Sequence, residues 1–186
     1  GTSPIDATNA TFAGLNKATL ADAFTIADHV FDAVDDGTRG LVRFNAGNVY
    51  VTPNSYDLAT TAPSVQRGID AATAGDVVNI NDGTYTAQAI TVNKRLDIKG
   101  QGAATVLQNS GGTVVTYAAA GSGSGATTRA YLRNVKLSGS TKGIYAQDLV
   151  NYLTLDGVTI DGNSSYGIHV NNTSGTMQDW VIQNST

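Results

Sequence analysis

Two hydrophobic periods divide the chain. Between Thr19 and Val34 the apolar residues Leu20, Phe24, Ala27, Val30, Phe31 and Val34 recur at helical spacing. This predicts an amphipathic helix that begins at Thr19, with Asp22 three residues on, and is stopped by Asp35-Asp36-Gly37. Residues 41–44 and 49–51 read as extended segments joined by Asn45-Ala-Gly-Asn48, the outline of a hairpin. A polar connector over 52–63 leads to a shorter helix, predicted from Ser64 as N-cap and burying Val65, Ile69 and Ala72. From Asp76 onward the pattern is one of short strands, at 77–80, 89–92, 96–98 and 105–107. Turn residues such as Asn81-Asp-Gly83 and Gly100-Gln-Gly102 separate them, and Gly121-Ser-Gly-Ser-Gly125 reads as a flexible loop.

The last third repeats itself. Leu132-Arg-Asn-Val-Lys-Leu-Ser-Gly139 returns as Leu155-Asp-Gly-Val-Thr-Ile-Asp-Gly162, about 23 residues on. Gly143-Ile-Tyr-Ala146 returns as Gly167-Ile-His-Val170, and Ile182-Gln-Asn-Ser-Thr186 begins a third copy. Matching Leu, Val and Ile positions predict buried columns in stacked coils, since one coil alone cannot bury its apolar face. Between them stand Asn134, Gly157 and Asn184, the residue types that accept a left-handed backbone most cheaply, so a sharp bend is expected at each.

Composition agrees with a turn-rich β protein. The 186 residues suit one domain, Gly occurs 21 times, and every acidic side chain is Asp, a cap and turn former, with no Glu. Absence of Cys excludes disulfides, thiolate metal sites and a thiol nucleophile. A net charge of -4 with 11 basic residues provides no footprint for nucleic acid. No apolar run is long enough to span a bilayer, and the polar start is not a signal peptide.

The stretch Val65-Gln-Arg-Gly-Ile-Asp-Ala-Ala-Thr-Ala-Gly-Asp76, continued by Val77-Val-Asn-Ile-Asn-Asp-Gly-Thr-Tyr85 and Ile90-Thr-Val-Asn-Lys-Arg-Leu-Asp-Ile-Lys-Gly100, resembles the opening of right-handed parallel β-helix proteins of the pectin lyase-like superfamily. The resemblance covers residues 64–186. It implies an all-β fold, a right-handed parallel β-helix (β-solenoid) whose N-terminal mouth is capped by the short helix. Residues 1–63 lie outside it and are read as an N-terminal extension of that cap, with one helix and a hairpin. The superfamily holds polysaccharide lyases, hydrolases and esterases as well as non-catalytic adhesins and fibre proteins, so fold alone does not assign a reaction.

Candidate chemistry is sparse. Tyr145 and His169 share a register position in consecutive coils and could contact a sugar ring or act as acid and base, with Asn171 and Asn172 just beyond. No acid is placed by sequence to orient His169, so a solvated ladder pair is the simpler reading. Arg133 and Asp156 match in register as a structural ion pair. Asp161 and Asn163 are weak candidates for calcium oxygen ligands, a plain turn being the alternative. His29 is expected in a structural role on the first helix, and Trp180 in the core or at the end of the stack. Because no clustered acids occur, the expectation is a structural or adhesive extracellular module of a surface protein or self-assembling fibre, touching carbohydrate. The alternative is a lyase or hydrolase of an acidic polysaccharide with catalytic coils partly beyond Thr186. Either further coils or a second copy is expected at the C-terminal edge, where strands would otherwise be unpaired.

Overall fold

A computed structural model describes residues 3–58 and 61–186. Residues 1–2 of the polar start and 59–60 of the connector lie outside it. The chain winds as a parallel β-solenoid in which each full coil adds one strand to each of three sheets. The longest sheet stacks β3 (Asn48–Val51), β4 (Val77–Ile80), β7 (Asp97–Lys99), β10 (Ala130–Arg133), β13 (Leu153–Asp156) and β16 (Val181–Gln183). The second stacks β5 (Gly83–Tyr85), β8 (Thr105–Gln108), β11 (Lys136–Ser138) and β14 (Thr159–Asp161). The third stacks β6 (Ile90–Val92), β9 (Thr113–Tyr117), β12 (Lys142–Ala146) and β15 (Tyr166–Val170), and the pairings in all three are parallel.

Repeated letters become columns. Leu132 pairs with Leu155 and Leu155 with Ile182, Leu137 lies between Leu107 and Ile160, and Ile144 lies between Val115 and Ile168. Most of these point into one continuous core, and side chains of alternate residues face out. The expected bends are present: Asn134, Gly157 and Asn184 have φ of +52°, +65° and +52°, each directly after a strand of the long sheet, and the first two carry the chain to the second sheet. Asn134→Ala is expected to destabilise by about 1 kcal/mol, and Asn134→Gly to stay within about half of that, in urea unfolding. Equal effects of the two changes would exclude a left-handed role for the position.

The second helix, α2 (Val65–Ala71), starts as expected, with the Ser64 hydroxyl accepting from the Arg67 amide. It closes the mouth of the solenoid, with Val65 and Ile69 fully buried. The first helix, α1 (Leu20–Ala27), is much shorter than its periodicity predicts. Aspartates downstream bind backbone instead: Asp32 accepts from the Val34 and Val42 amides, and Asp35 from the Asp32 amide. Ala33 and Val34 therefore enter the solenoid core, while Phe31 is left 48% exposed beneath the Arg39 guanidinium.

The predicted hairpin does not form. β1 (Ile5–Asp6) pairs in parallel with β2 (Val42–Arg43), and β3 pairs in parallel with β4, so the long sheet begins inside the stretch read as an extension. The physical reason lies in β3, whose two faces are both apolar. Val49 and Val51 face the solenoid core, whereas Tyr50 joins Ala23, Phe24, Ile26 and Phe44 in a second cluster beneath α1. Phe44 stacks on Tyr50 at 5.0 Å rather than pairing across a hairpin. The glycine-rich loop is also different from its reading. Gly121 and Gly123 are buried, and a Cβ on Gly121 would stand 2.3 Å from the Val92 carbonyl oxygen, so these glycines permit close packing.

Candidate functional site

On the outer face of the third sheet, parallel pairing places Thr91, Thr116, Tyr145 and His169 in one column. The register expected for Tyr145 and His169 is present, and their ring centroids lie 5.1 Å apart in an edge-to-face arrangement. Two further residues belong to the cluster. Lys142 and Tyr166 pair in the adjacent column, with the Lys142 ammonium 4.9 Å from the Tyr145 ring centre and the Tyr166 ring 4.9 Å from His169. Their signal in the sequence is the residue before each glycine of the repeat, since Lys142-Gly-Ile-Tyr and Tyr166-Gly-Ile-His are aligned copies.

The two tyrosine rings differ in what covers them. Tyr145 already has Lys142 over its ring and His169 against it, whereas Tyr166 is 53% exposed and offers a free apolar surface. His169 Nδ1 is buried without a hydrogen-bond partner among the described residues, so none of them supplies a carboxylate to that nitrogen. Asn171 follows β15 and continues the ladder through its amide, which donates to the Ala146 carbonyl at 2.8 Å. No hydrogen bond joins its side chain to Tyr145 or His169 among the described residues. Asn172, beside it, is exposed.

The outer face of the long sheet carries four charged residues, Asp97, Lys99, Arg133 and Asp156. Arg133 and Asp156 occupy matched positions, but the guanidinium turns to the neighbouring coil on the other side. Its Nε lies 3.1 Å from Asp97 Oδ1, out of line for a hydrogen bond, and its plane covers the Tyr131 ring at 3.8 Å. Stacking on an aromatic face and a half-buried carboxylate together outweigh the exposed partner. Burial raises the Asp97 carboxyl above its ordinary range against the pull of Arg133 and Lys99. Asp156 is held below that range by hydrogen bonds, first from Asn184, whose Nδ2 donates at 2.8 Å.

The weak calcium candidates are engaged elsewhere. Asp161 forms an ion pair with Lys136 at 2.9 Å, and the Asn163 side-chain oxygen accepts from the Ser140 hydroxyl. Among the described residues no three His or Asp side chains gather as a metal set. Asp82 accepts from the Thr105 hydroxyl at 3.0 Å, which makes it a clasp between coils. His29 Nδ1 lies 2.8 Å from the Thr25 carbonyl oxygen on α1, and Trp180 packs against the last coils with its Nε1 donating to the Val150 carbonyl. No helix among the described residues is long and apolar enough to cross a membrane. No family model, no curated protein and no solved structure matches the chain.

Proposed function

We propose that this chain is a structural or adhesive β-solenoid module of an extracellular or cell-surface protein, and that it touches carbohydrate through the face formed by Tyr166, Tyr145 and His169. The observation that carries the reading is the half-exposed Tyr166 ring beside the His169 imidazole, with the Lys142 ammonium over the neighbouring Tyr145 ring, on a ladder where side-chain positions repeat from coil to coil. Aromatic rings bury large apolar area while their polar ends stay wet, a combination suited to sugar rings. The resemblance of residues 64–100 to pectin lyase-like β-helices adds weight to a carbohydrate setting. A lyase or hydrolase reading would need oriented acids beside His169, and no described contact supplies one.

Affinity electrophoresis against a panel of neutral and acidic polysaccharides is the direct test. Tyr166→Ala is expected to weaken retention about tenfold, equivalent to about 1.4 kcal/mol, with the thermal midpoint unchanged. Retention equal to the parent in both Tyr166→Ala and Tyr145→Ala would remove the carbohydrate face from the proposal. Turnover of an acidic polysaccharide that disappears in His169→Ala would replace the reading with the catalytic one.

A further inference from the structure

At the seam between the N-terminal extension and the first rungs of the long sheet lies an open groove of about 410 Å³, within the size range of small-ligand sites. Lys17, Asn45, Asn48, Tyr50, Asn79 and Lys99 supply its polar lining, and no acid lines it. That is notable in a chain with 15 acidic and 11 basic residues. Two lysines line the groove, and they differ. The Lys17 ammonium is held by the Thr8 and Ala10 carbonyls, and Asn45 donates Nδ2 to its carbonyl oxygen, so this wall is built in place. Lys99 has no ion pair and no hydrogen bond among the described residues, and the carboxylate it acts on, Asp97 two residues before it, also faces Arg133.

The floor is preorganised as well. Asn79 is 5% exposed, with Nδ2 donating to Asn48 Oδ1 at 3.0 Å. Tyr50 is 9% exposed and its hydroxyl oxygen accepts from Asn45 Nδ2 at 2.8 Å. The phenolic proton itself has no acceptor among the described residues. Tyr50 lines the groove, so this O–H is available to an acceptor placed there.

We propose that this groove binds a small sugar bearing one anionic group, whose charge meets Lys99 while a hydroxyl or ring oxygen accepts from Tyr50. Carboxylate and phosphate share that chemistry. The site is separate from the Tyr166 face, and it gives the extension a role beyond capping, because the extension supplies Lys17, Asn45, Asn48 and Tyr50.

Calorimetric titration of the full chain with glucuronate, glucose 6-phosphate and glucose tests this. One of the two anions is expected to bind saturably, which also identifies the charged group, and glucose is expected to bind at least tenfold more weakly. Lys99→Gln is expected to reduce anion binding by tenfold or more, and Tyr50→Phe by several-fold, with unchanged circular dichroism. Tyr166→Ala is expected to bind these small anions like the parent, so failure here and failure of the carbohydrate face are read separately. Absence of saturable binding by either anion, equal binding of glucose, or unaltered affinity in Lys99→Gln would each overturn the proposal.

Discussion

Gly100→Ala is expected to lower the stability of the solenoid by about 2–4 kcal/mol, measured by urea unfolding. A Cβ at this position would lie 2.3 Å from the Asn134 carbonyl oxygen, 2.7 Å from Val135 Cγ1 and 2.9 Å from Thr105 Cβ. The first contact is backbone and the third is a branch point, so neither can swing aside as the end of a long side chain would. Retreat of the chain is costly too, because the Gly100 amide donates to the Arg133 carbonyl at 2.9 Å, and that bond helps to join the two coils. Overpacking and a strained inter-coil hydrogen bond therefore add. Gly102→Ala is the informative comparison: nothing lies within 4 Å of its added Cβ, and only its φ of +126° opposes a side chain. Unfolding of Gly100→Ala within 0.5 kcal/mol of the parent would show that the coils can separate there freely.

Arg67→Met is expected to loosen the N-terminal extension by about 2–4 kcal/mol while the later coils remain protected. From α2 the guanidinium donates to the Val34, Ser55 and Ala62 carbonyls at 2.7, 3.0 and 2.6 Å, fastening three separate stretches of the extension to the helix that closes the solenoid. Methionine keeps most of the apolar stem but leaves those carbonyls without their donor. It also removes the cation that opposes the raised pKa of Asp35, whose carboxyl is pushed up mainly by burial and also by Asp32. Hydrogen exchange by residue is the measurement of choice. Faster exchange confined to the extension, with amides of Leu132 and Ile144 unchanged, is the expected pattern. Uniform acceleration through every coil would mean that extension and solenoid unfold as one unit.

Legibility of the fold depended on how local each signal was. The cap of α2 was readable because Ser64 and the Arg67 amide are three residues apart and need nothing else. β9 carries no repeat signal: its Thr-Val-Val-Thr-Tyr run differs from the next coil at every paired position, and its place is set by ladders to β6 and β12. α1 is shorter than its apolar spacing predicts: that spacing continues past Ala27, whereas Asp32 and Asp35 hold the next turn through bonds to backbone as distant as Val42. At the candidate face, Tyr145 over His169 followed from aligned copies, but the coverage of the Tyr145 ring by Lys142 depends on side-chain direction.

What the sequence determined by itself was the stacking. Inward Leu, Val and Ile recur with period two in strands such as β4, β6 and β13, and a slip of one residue would turn a whole strand's apolar set outward, so register is enforced wherever a core face exists. The Asn134, Gly157 and Asn184 column adds the bend, because those residues tolerate φ near +60° at little cost. Only the tertiary structure decided which charges meet. Arg133 has Asp156 on one neighbouring coil and Asp97 on the other, and the choice goes to Asp97 because partial burial strengthens that attraction while Tyr131 supports the guanidinium from below. The same holds for β3 and for the groove beside it. No local pattern says that Tyr50 will be covered from outside by α1, and that covering is what brings Asn45 and Lys17 to the edge of a sheet that carries Lys99.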